Sequence, residues 1–143
     1  MHSGPEQAQR RQQGVHVKAD PARPGWVYVA CYGEGKGLYR SRDRGESWEK
    51  LLTNAWMRGV AVNPANPDII YATSSQNTCC GAPPEGSLGV VRSIDGGATW
   101  TQVNEGLPWP FAWPIALDPA DPSVVYIGSP GTGFYRRRFE DPR

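Results

Sequence analysis

The octapeptide SRDRGESW at residues 41–48 returns as SIDGGATW at residues 93–100. Both copies fit the pattern S-x-D-x-G-x-[ST]-W. Each follows a strand-like segment that begins with Gly and ends with Arg, at residues 37–40 and 89–92. Repetition of a motif together with its flanking segment indicates that the chain is built from similar structural units.

A second motif marks the start of each unit and occurs three times. It reads VKADPARP, VAVNPANP and IALDPADP at residues 17–24, 60–67 and 115–122. A β-branched and aromatic run centred on Tyr28, Tyr71 or Tyr126 follows each copy, and an insertion between residues 74 and 88 lengthens the second unit. Units of about 40 to 50 residues with four short strands are typical of β-propeller blades.

The pattern therefore predicts an all-β fold of about three four-stranded antiparallel propeller blades, either a partial or a self-associating propeller. The last blade is expected to be incomplete, because RRFED at residues 137–141 replaces the octapeptide. In the second unit we expect strands at residues 58–63, 69–73, 89–93 and 99–103. The expected organisation is a polar, disordered tail at residues 1–14 and a propeller segment at 15–143, with blades at about 15–53, 57–105 and 113–140.

The octapeptide resembles the Asp-box, also called the BNR repeat. This repeat is found in sialidase-like, sortilin-like, xyloglucanase-like and photosystem-assembly-factor-like propellers. The resemblance covers residues 15–139 and rests on two complete boxes in the same context. It implies that each box forms the turn between the third and fourth strands of a blade.

The box residues are predicted to be structural. Short Asp carboxylates accept backbone hydrogen bonds in tight turns, Gly allows a positive φ, and Trp buries apolar surface. A side chain that recurs in every unit serves the scaffold, whereas an active site uses residues that occur once. The same reasoning covers the recurring Asp20, Asn63 and Asp118 and the recurring Arg40, Arg92 and Arg136. The predicted Asp-box scaffold positions are Ser41, Asp43, Gly45, Trp48, Ser93, Asp95, Gly97 and Trp100.

The departures from the repeat are expected to lie on the face opposite the boxes. They include the stretch LPWPFAWP at residues 107–114, which holds three aromatics stiffened by prolines. Aromatic side chains of this kind can stack on sugar rings, and the alternative for Trp109 and Trp113 is that they plug the contact between blades. The candidate ligand-binding residues are Tyr32, Trp56, Trp109, Phe111 and Trp113.

Composition narrows the function classes. With 15 basic and 14 acidic residues among 143, the chain has no charge bias toward nucleic acid. The sequence has no membrane-spanning apolar run and no signal peptide, so it does not indicate a compartment. If the chain is the tail of a longer exported protein, we expect an extracellular or periplasmic location. We expect no metal or cofactor, because Cys31, Cys79, Cys80, His2 and His16 lack ligand spacing. The adjacent Cys79 and Cys80 are either a vicinal disulfide or two thiols.

Two function hypotheses follow. The first is a noncatalytic scaffold that binds a glycan or a protein through its aromatic loop face. The alternative is part of a sialidase-like or xyloglucanase-like glycoside hydrolase, which needs two nonrecurring acids about 5 to 10 Å apart. The candidates for such acids are Glu34, Glu85 and Glu105, and nothing in the sequence pairs any two of them.

The number of units predicts that further blades are needed to close the propeller. Closed propellers contain about 4 to 8 blades, and this chain holds three units with the last incomplete. We therefore expect either self-association, in which two copies supply about six blades, or further blades from a longer chain.

Overall fold

A computed structural model describes residues 16–33, 35–76 and 86–140. The regular elements in these ranges are all β-strands, which form three antiparallel sheets. Each sheet follows the order of the chain, so that each is a meander and each is one blade. No helix within these ranges is long and apolar enough to span a membrane.

Blade 1 contains β1 (His16–Ala19), β2 (Val27–Ala30), β3 (Gly37–Ser41) and β4 (Glu49–Thr53). Blade 2 contains β5 (Met57–Val62), β6 (Ile70–Ser74), β7 (Gly89–Ser93) and β8 (Thr101–Gln102). Blade 3 contains β9 (Ile115–Leu117), β10 (Val124–Ser129) and β11 (Gly133–Arg138). The predicted all-β class with three blades, the last incomplete, is confirmed for the part of the chain that the structure describes.

The fourth strand of blade 2 is shorter than the sequence pattern indicated. Residues 99 and 100 belong to the box turn instead, because the Thr99 hydroxyl donates to Oδ2 of Asp95 at 2.5 Å and its N–H donates to Oδ1 at 2.9 Å. These bonds draw Thr99 back into the turn, and the strand begins at Thr101.

Each box folds into a turn held by its own side chains. In blade 1, Oδ1 of Asp43 accepts from the Ser41 hydroxyl and from the Ser47 N–H, each at 2.8 Å. The Gly45 N–H donates to Ser41 Oγ at 2.7 Å, and the indole N–H of Trp48 donates to the Gly45 carbonyl at 3.0 Å. Gly45 has a φ of 90°, which favours glycine. The turn is therefore fixed mainly by bonds within the box, to which the Arg44 N–H adds a bond to the Gly25 carbonyl at 2.9 Å.

The second box repeats this bonding pattern. Asp95 accepts from the Ser93 hydroxyl at 2.8 Å, and the Trp100 indole donates to the Gly97 carbonyl at 3.1 Å. Hydrogen bonds from the Thr99 hydroxyl and N–H hold the pKa of Asp95 at about 2, as those from Ser47 do for Asp43. Both carboxylates are therefore ionised at neutral pH and committed to their turns.

The three Asp or Asn residues of the second motif form equivalent Asx turns. Oδ1 of Asp20 accepts from the N–H groups of the residues two and three positions later, at 2.8 and 3.0 Å. Asn63 and Asp118 accept the corresponding pair of bonds. These turns join the first and second strands of each blade.

Two apolar cores lie between the blades. The first joins one side of blade 1 to blade 2, and the second joins the other side of blade 2 to blade 3. Tyr28 and Tyr71 occupy equivalent places in these two cores, and each is fully buried. Trp100 packs against the first core. Phe139, which follows β11 where the third unit lacks a box, packs on Tyr71 with ring centroids 5.3 Å apart.

Candidate functional site

The loops at the end of the sheets opposite the boxes contact one another. The Gly33 N–H donates to the Ala55 carbonyl at 2.7 Å, which joins a loop within blade 1 to the link between blades 1 and 2. The Ala112 N–H donates to the Ser74 carbonyl at 3.1 Å, which joins the link between blades 2 and 3 to blade 2. We call this end the aromatic loop face. It comprises the described parts of residues 31–36, 54–56, 75–88, 103–114 and 130–132.

Tyr32 and Trp56 form a packed pair on this face. They make an isolated antiparallel bridge, and their ring centroids lie 5.3 Å apart at an interplanar angle of 57°. The Trp56 N–H donates to Oδ1 of Asn54 at 2.9 Å, and the Trp56 carbonyl accepts from the Ser75 N–H at 2.9 Å. Both aromatic rings are half-buried and held in place from the backbone.

Arg58 connects this pair to the link between blades 2 and 3. Its guanidinium carbon lies 3.9 Å from the ring centroid of Tyr32 and 4.2 Å from that of Trp113. The Nε–H of Arg58 donates to the Ser75 carbonyl at 2.8 Å. Arg58 is only 8% exposed, and this burial lowers the pKa of its guanidinium, which still stays protonated because arginine does not titrate in proteins. Among the described residues no carboxylate forms an ion pair with it.

Arg58 is not among the residues that the sequence pattern indicated. It is the one charged residue of β5, and units one and three have Val15 and Trp113 at the equivalent position. A charge in an otherwise apolar inner strand, at a position where the repeat breaks, is the signal that could have found it.

The segment from Trp109 to Trp113 is anchored by its backbone. The Pro110 carbonyl accepts from the Ser87 hydroxyl, and the Trp113 carbonyl accepts from the Thr73 hydroxyl, each at 2.6 Å. Ala112, between the aromatic residues, is fully buried. The segment is therefore fixed in one conformation by blade 2, although its larger side chains point outward.

The structure divides the five candidate aromatics into two sets. Tyr32, Trp56 and Trp113 are brought together through Arg58, whereas Trp109 and Phe111 make no ring contact with another aromatic or cationic side chain in the described part of the chain. Trp109 is 57% exposed and Trp113 is 42% exposed. Neither tryptophan belongs to an interblade core. Trp109 and Trp113 are therefore the most exposed of the five candidate aromatics.

Among the described residues, the candidate acids form no pair of neighbouring carboxylates. Glu105 is exposed, and its Oε2 lies 2.9 Å from Nη2 of Arg137. Glu34 and Glu85 lie outside the described residues. Within the described ranges no group of three His, Cys, Asp or Glu side chains could hold a metal ion.

Among the described residues, Cys31 and His16 have no catalytic arrangement. Cys31 is a buried free thiol whose pKa is raised by that burial, which makes it a poor nucleophile. His16 accepts from the Val60 N–H at 3.2 Å through Nδ1, so it links the inner strands of blades 1 and 2. Cys79 and Cys80 lie outside the described residues.

The fold matches that of known propellers. The GH74 enzyme of Niastella koreensis superposes with a TM-score of 0.65 at 20% identity, over 85% of this chain and 19% of that one. YCF48 from Cyanidioschyzon merolae superposes with a TM-score of 0.54 at 18% identity, over 85% of this chain and 32% of that one. The chain therefore has the fold of a β-propeller segment and is distantly similar to Asp-box propellers.

Sequence comparison also finds distant relatives. The segment is 32% identical over 116 residues to the xyloglucanase Xgh74A of Acetivibrio thermocellus, covering 66% of this chain. It is 30% identical over 117 residues to a xyloglucanase of Hypocrea jecorina, covering 70% of this chain. The segment spans only 12% and 14% of the length of these two relatives. No protein-family model matches it.

Proposed function

We propose that this segment is a noncatalytic scaffold that binds carbohydrate, of the xyloglucan type, through its aromatic loop face. The observation that carries the proposal is the pair of exposed tryptophans, Trp109 and Trp113, on a segment fixed by backbone hydrogen bonds. The names of the xyloglucanases to which the segment is similar supply the substrate class.

The geometry suits the face of a sugar ring. Flat aromatic side chains with few rotatable bonds bind at low entropic cost when their conformation is already fixed. The ring centroid of Trp113 lies 4.2 Å from the guanidinium carbon of Arg58, and the residue is 42% exposed. The guanidinium stays charged and lies 3.9 Å from the ring centroid of Tyr32 and 4.2 Å from that of Trp113. Trp109 adds a second apolar surface four residues earlier on the same loop.

The experiment is a tryptophan-fluorescence titration with xyloglucan oligosaccharides. Trp109→Ala and Trp113→Ala should each weaken binding at least about fivefold, which corresponds to roughly 1 kcal/mol for an aromatic contact at a binding surface. Trp26→Phe is the matched control, because Trp26 lies on the box side of blade 1 and is covered by Arg23 at 4.4 Å. An unchanged affinity in both alanine variants, or no response of the unsubstituted chain to any oligosaccharide, would overturn the proposal and favour a protein ligand.

Glycoside hydrolysis is the second candidate, and the similarity to xyloglucanases favours it. Its paired-acid chemistry has one described candidate, Glu105, which already forms an ion pair with Arg137. We expect no release of reducing ends from xyloglucan oligosaccharides by this segment. Turnover that Glu105→Gln abolishes, with oligosaccharide binding intact, would establish the hydrolase instead.

A further inference from the structure

The two sides of each blade follow a fixed pattern. On the side that faces the next blade, the trailing face, a Tyr on the second strand pairs with an Arg on the third, and a large apolar residue lies two positions before that Arg. Alternate strand residues share a face, so the three side chains form one surface. The trailing triplets are Tyr28 with Leu38 and Arg40, Tyr71 with Val90 and Arg92, and Tyr126 with Phe134 and Arg136.

The opposite side, the leading face, is also repeated. One residue from each of the first three strands lines up across the sheet, and most are aliphatic. The leading triplets are Val17 with Val29 and Tyr39, Val60 with Ala72 and Val91, and Ile115 with Ile127 and Tyr135.

Two trailing faces are covered within the chain. Tyr28 and Leu38 of blade 1 pack on the leading face of blade 2, and Tyr71 and Val90 of blade 2 pack on that of blade 3. All four side chains are buried. Each contact thus joins a trailing triplet to a leading triplet.

A polar bond accompanies each of these contacts. Nη1 of Arg40 donates to the Gly96 carbonyl of blade 2 at 2.6 Å, and Nη2 of Arg92 donates to the Glu140 carbonyl of blade 3 at 3.1 Å. Gly96 and Glu140 occupy equivalent positions, four residues after the third-strand Arg of their own blades. The position that corresponds to them in blade 1 is Arg44.

Within residues 16–33, 35–76 and 86–140, no other blade packs on the third trailing face or on the first leading face, although Val29 in the middle of the first leading triplet is buried and Tyr39 is half-buried. Phe134 is 93% exposed, and Tyr126 and Arg136 beside it are exposed as well. At the other end of the segment Val17 is 54% exposed, although the equivalent Val60 is buried. These two surfaces consist of residue types similar to those of the triplets that are already in contact inside the chain.

We infer that the trailing face of blade 3 docks on the leading face of blade 1 of a second copy of this chain, head to tail. Phe134 and Tyr126 then cover Val17 and Tyr39, and Arg136 donates to the Arg44 carbonyl. The contact repeats an interface that the chain makes twice internally, which is why a second copy, rather than an unrelated protein, fits both surfaces. Two copies joined at both ends supply six blades, within the range of about 4 to 8 in which propellers close.

This inference does not depend on carbohydrate binding, because its residues lie on the sheet faces and not on the loop face. Sedimentation velocity or light scattering after size exclusion tests it on the full chain, at about 1 to 100 μM. The expected species has twice the chain mass of 15.7 kDa. A well-folded monomer throughout that range would overturn the inference.

Two charge substitutions at exposed positions give the sharper test. Phe134→Glu and Val17→Glu should each weaken association at least about tenfold, because each disables one of the two unlike surfaces. An equimolar mixture of the two variants should again form a two-copy species, since the intact leading face of one variant meets the intact trailing face of the other. Trp109→Ala should leave association unchanged.

Other results would refute the head-to-tail arrangement. If Val17→Glu still associated like the unsubstituted chain while Phe134→Glu did not, like surfaces would be meeting each other. If each variant alone were monomeric and their mixture remained so, the two surfaces would not be complementary. Circular dichroism and a cooperative thermal transition must first show that each variant is folded.

Discussion

The glycine that opens the third strand of each blade offers a graded test of the fold. Gly37, Gly89 and Gly133 occupy equivalent positions, but the space around them differs. A Cβ at Gly37 would lie 1.9 Å from the backbone carbonyl oxygen of Leu52. At Gly89 it would lie 2.3 Å from the side-chain oxygen of Asn104, and at Gly133 it would meet nothing within 4 Å.

These distances rank the three alanine substitutions. Gly133→Ala should cost about 1 kcal/mol, because only its φ of 109° opposes a side chain. Gly89→Ala carries a similar cost, because Gly89 has a φ of 69°. It also displaces the side chain of Asn104, whose amide accepts from the Val90 N–H and donates to the Leu88 carbonyl, each at 2.8 Å. Two such bonds at about 0.5–1.5 kcal/mol each bring the total to roughly 2–4 kcal/mol.

Gly37→Ala should be the most harmful of the three, at about 4 kcal/mol or more. The obstructing atom at Gly37 is main chain and has no alternative rotamer, so the β3–β4 pairing must open. The measurement is urea unfolding of the three variants against the unsubstituted chain. The reasoning fails if Gly133→Ala costs as much as Gly37→Ala, or if Gly37→Ala costs less than Gly89→Ala.

Three further predictions follow from the turns and the loop face. Arg44→Gly should raise the free energy of unfolding by about 1 kcal/mol, because Arg44 has a φ of 60° at the position where the second box has Gly96. Urea unfolding that shows no gain in stability would contradict this. The stabilisation from Asp43 and Asp95, with pKa values of about 2, should be complete above the unfolded value of about 4 and lost as pH falls through 2. When both are replaced by Asn, the melting temperature should fall less steeply as the pH is lowered. An unchanged dependence of the melting temperature on acid pH would show that these carboxylates do not cause it. Arg58→Ala should lower stability by about 1–3 kcal/mol through loss of the Ser75 bond and both ring contacts, and an unchanged thermal melt would show that the stack contributes nothing.

The blades could be predicted from the sequence because their determinants are local. In each box, Asp43 or Asp95 bonds only residues within four positions, so an octapeptide contains every bond that its carboxylate makes. Strand ends were less predictable where a side chain serves the turn instead of the sheet. Thr99 is such a case, since its β-branched side chain indicates a strand but its hydroxyl bonds Asp95.

The loop face could be predicted only in part. The aromatic residues are visible as departures from the repeat, but the contact that joins Tyr32 to Trp113 runs through Arg58. These three residues come from different units of the chain, and no local spacing indicates that a guanidinium lies between the two rings. Which side of Trp113 faces solvent therefore depends on tertiary packing, which the sequence pattern does not contain.

The bond from Arg92 to blade 3 bears on how such a repeat can evolve. Its acceptor is a main-chain oxygen, that of Glu140, as the acceptor of Arg40 is that of Gly96. Every residue type provides that atom, so selection on this contact acts on the arginine and on the backbone path but not on the identity of the residue that receives it. The sequences of successive units can thus diverge, even to the loss of a whole box as in the third unit, while the contacts that set the order of the blades are kept.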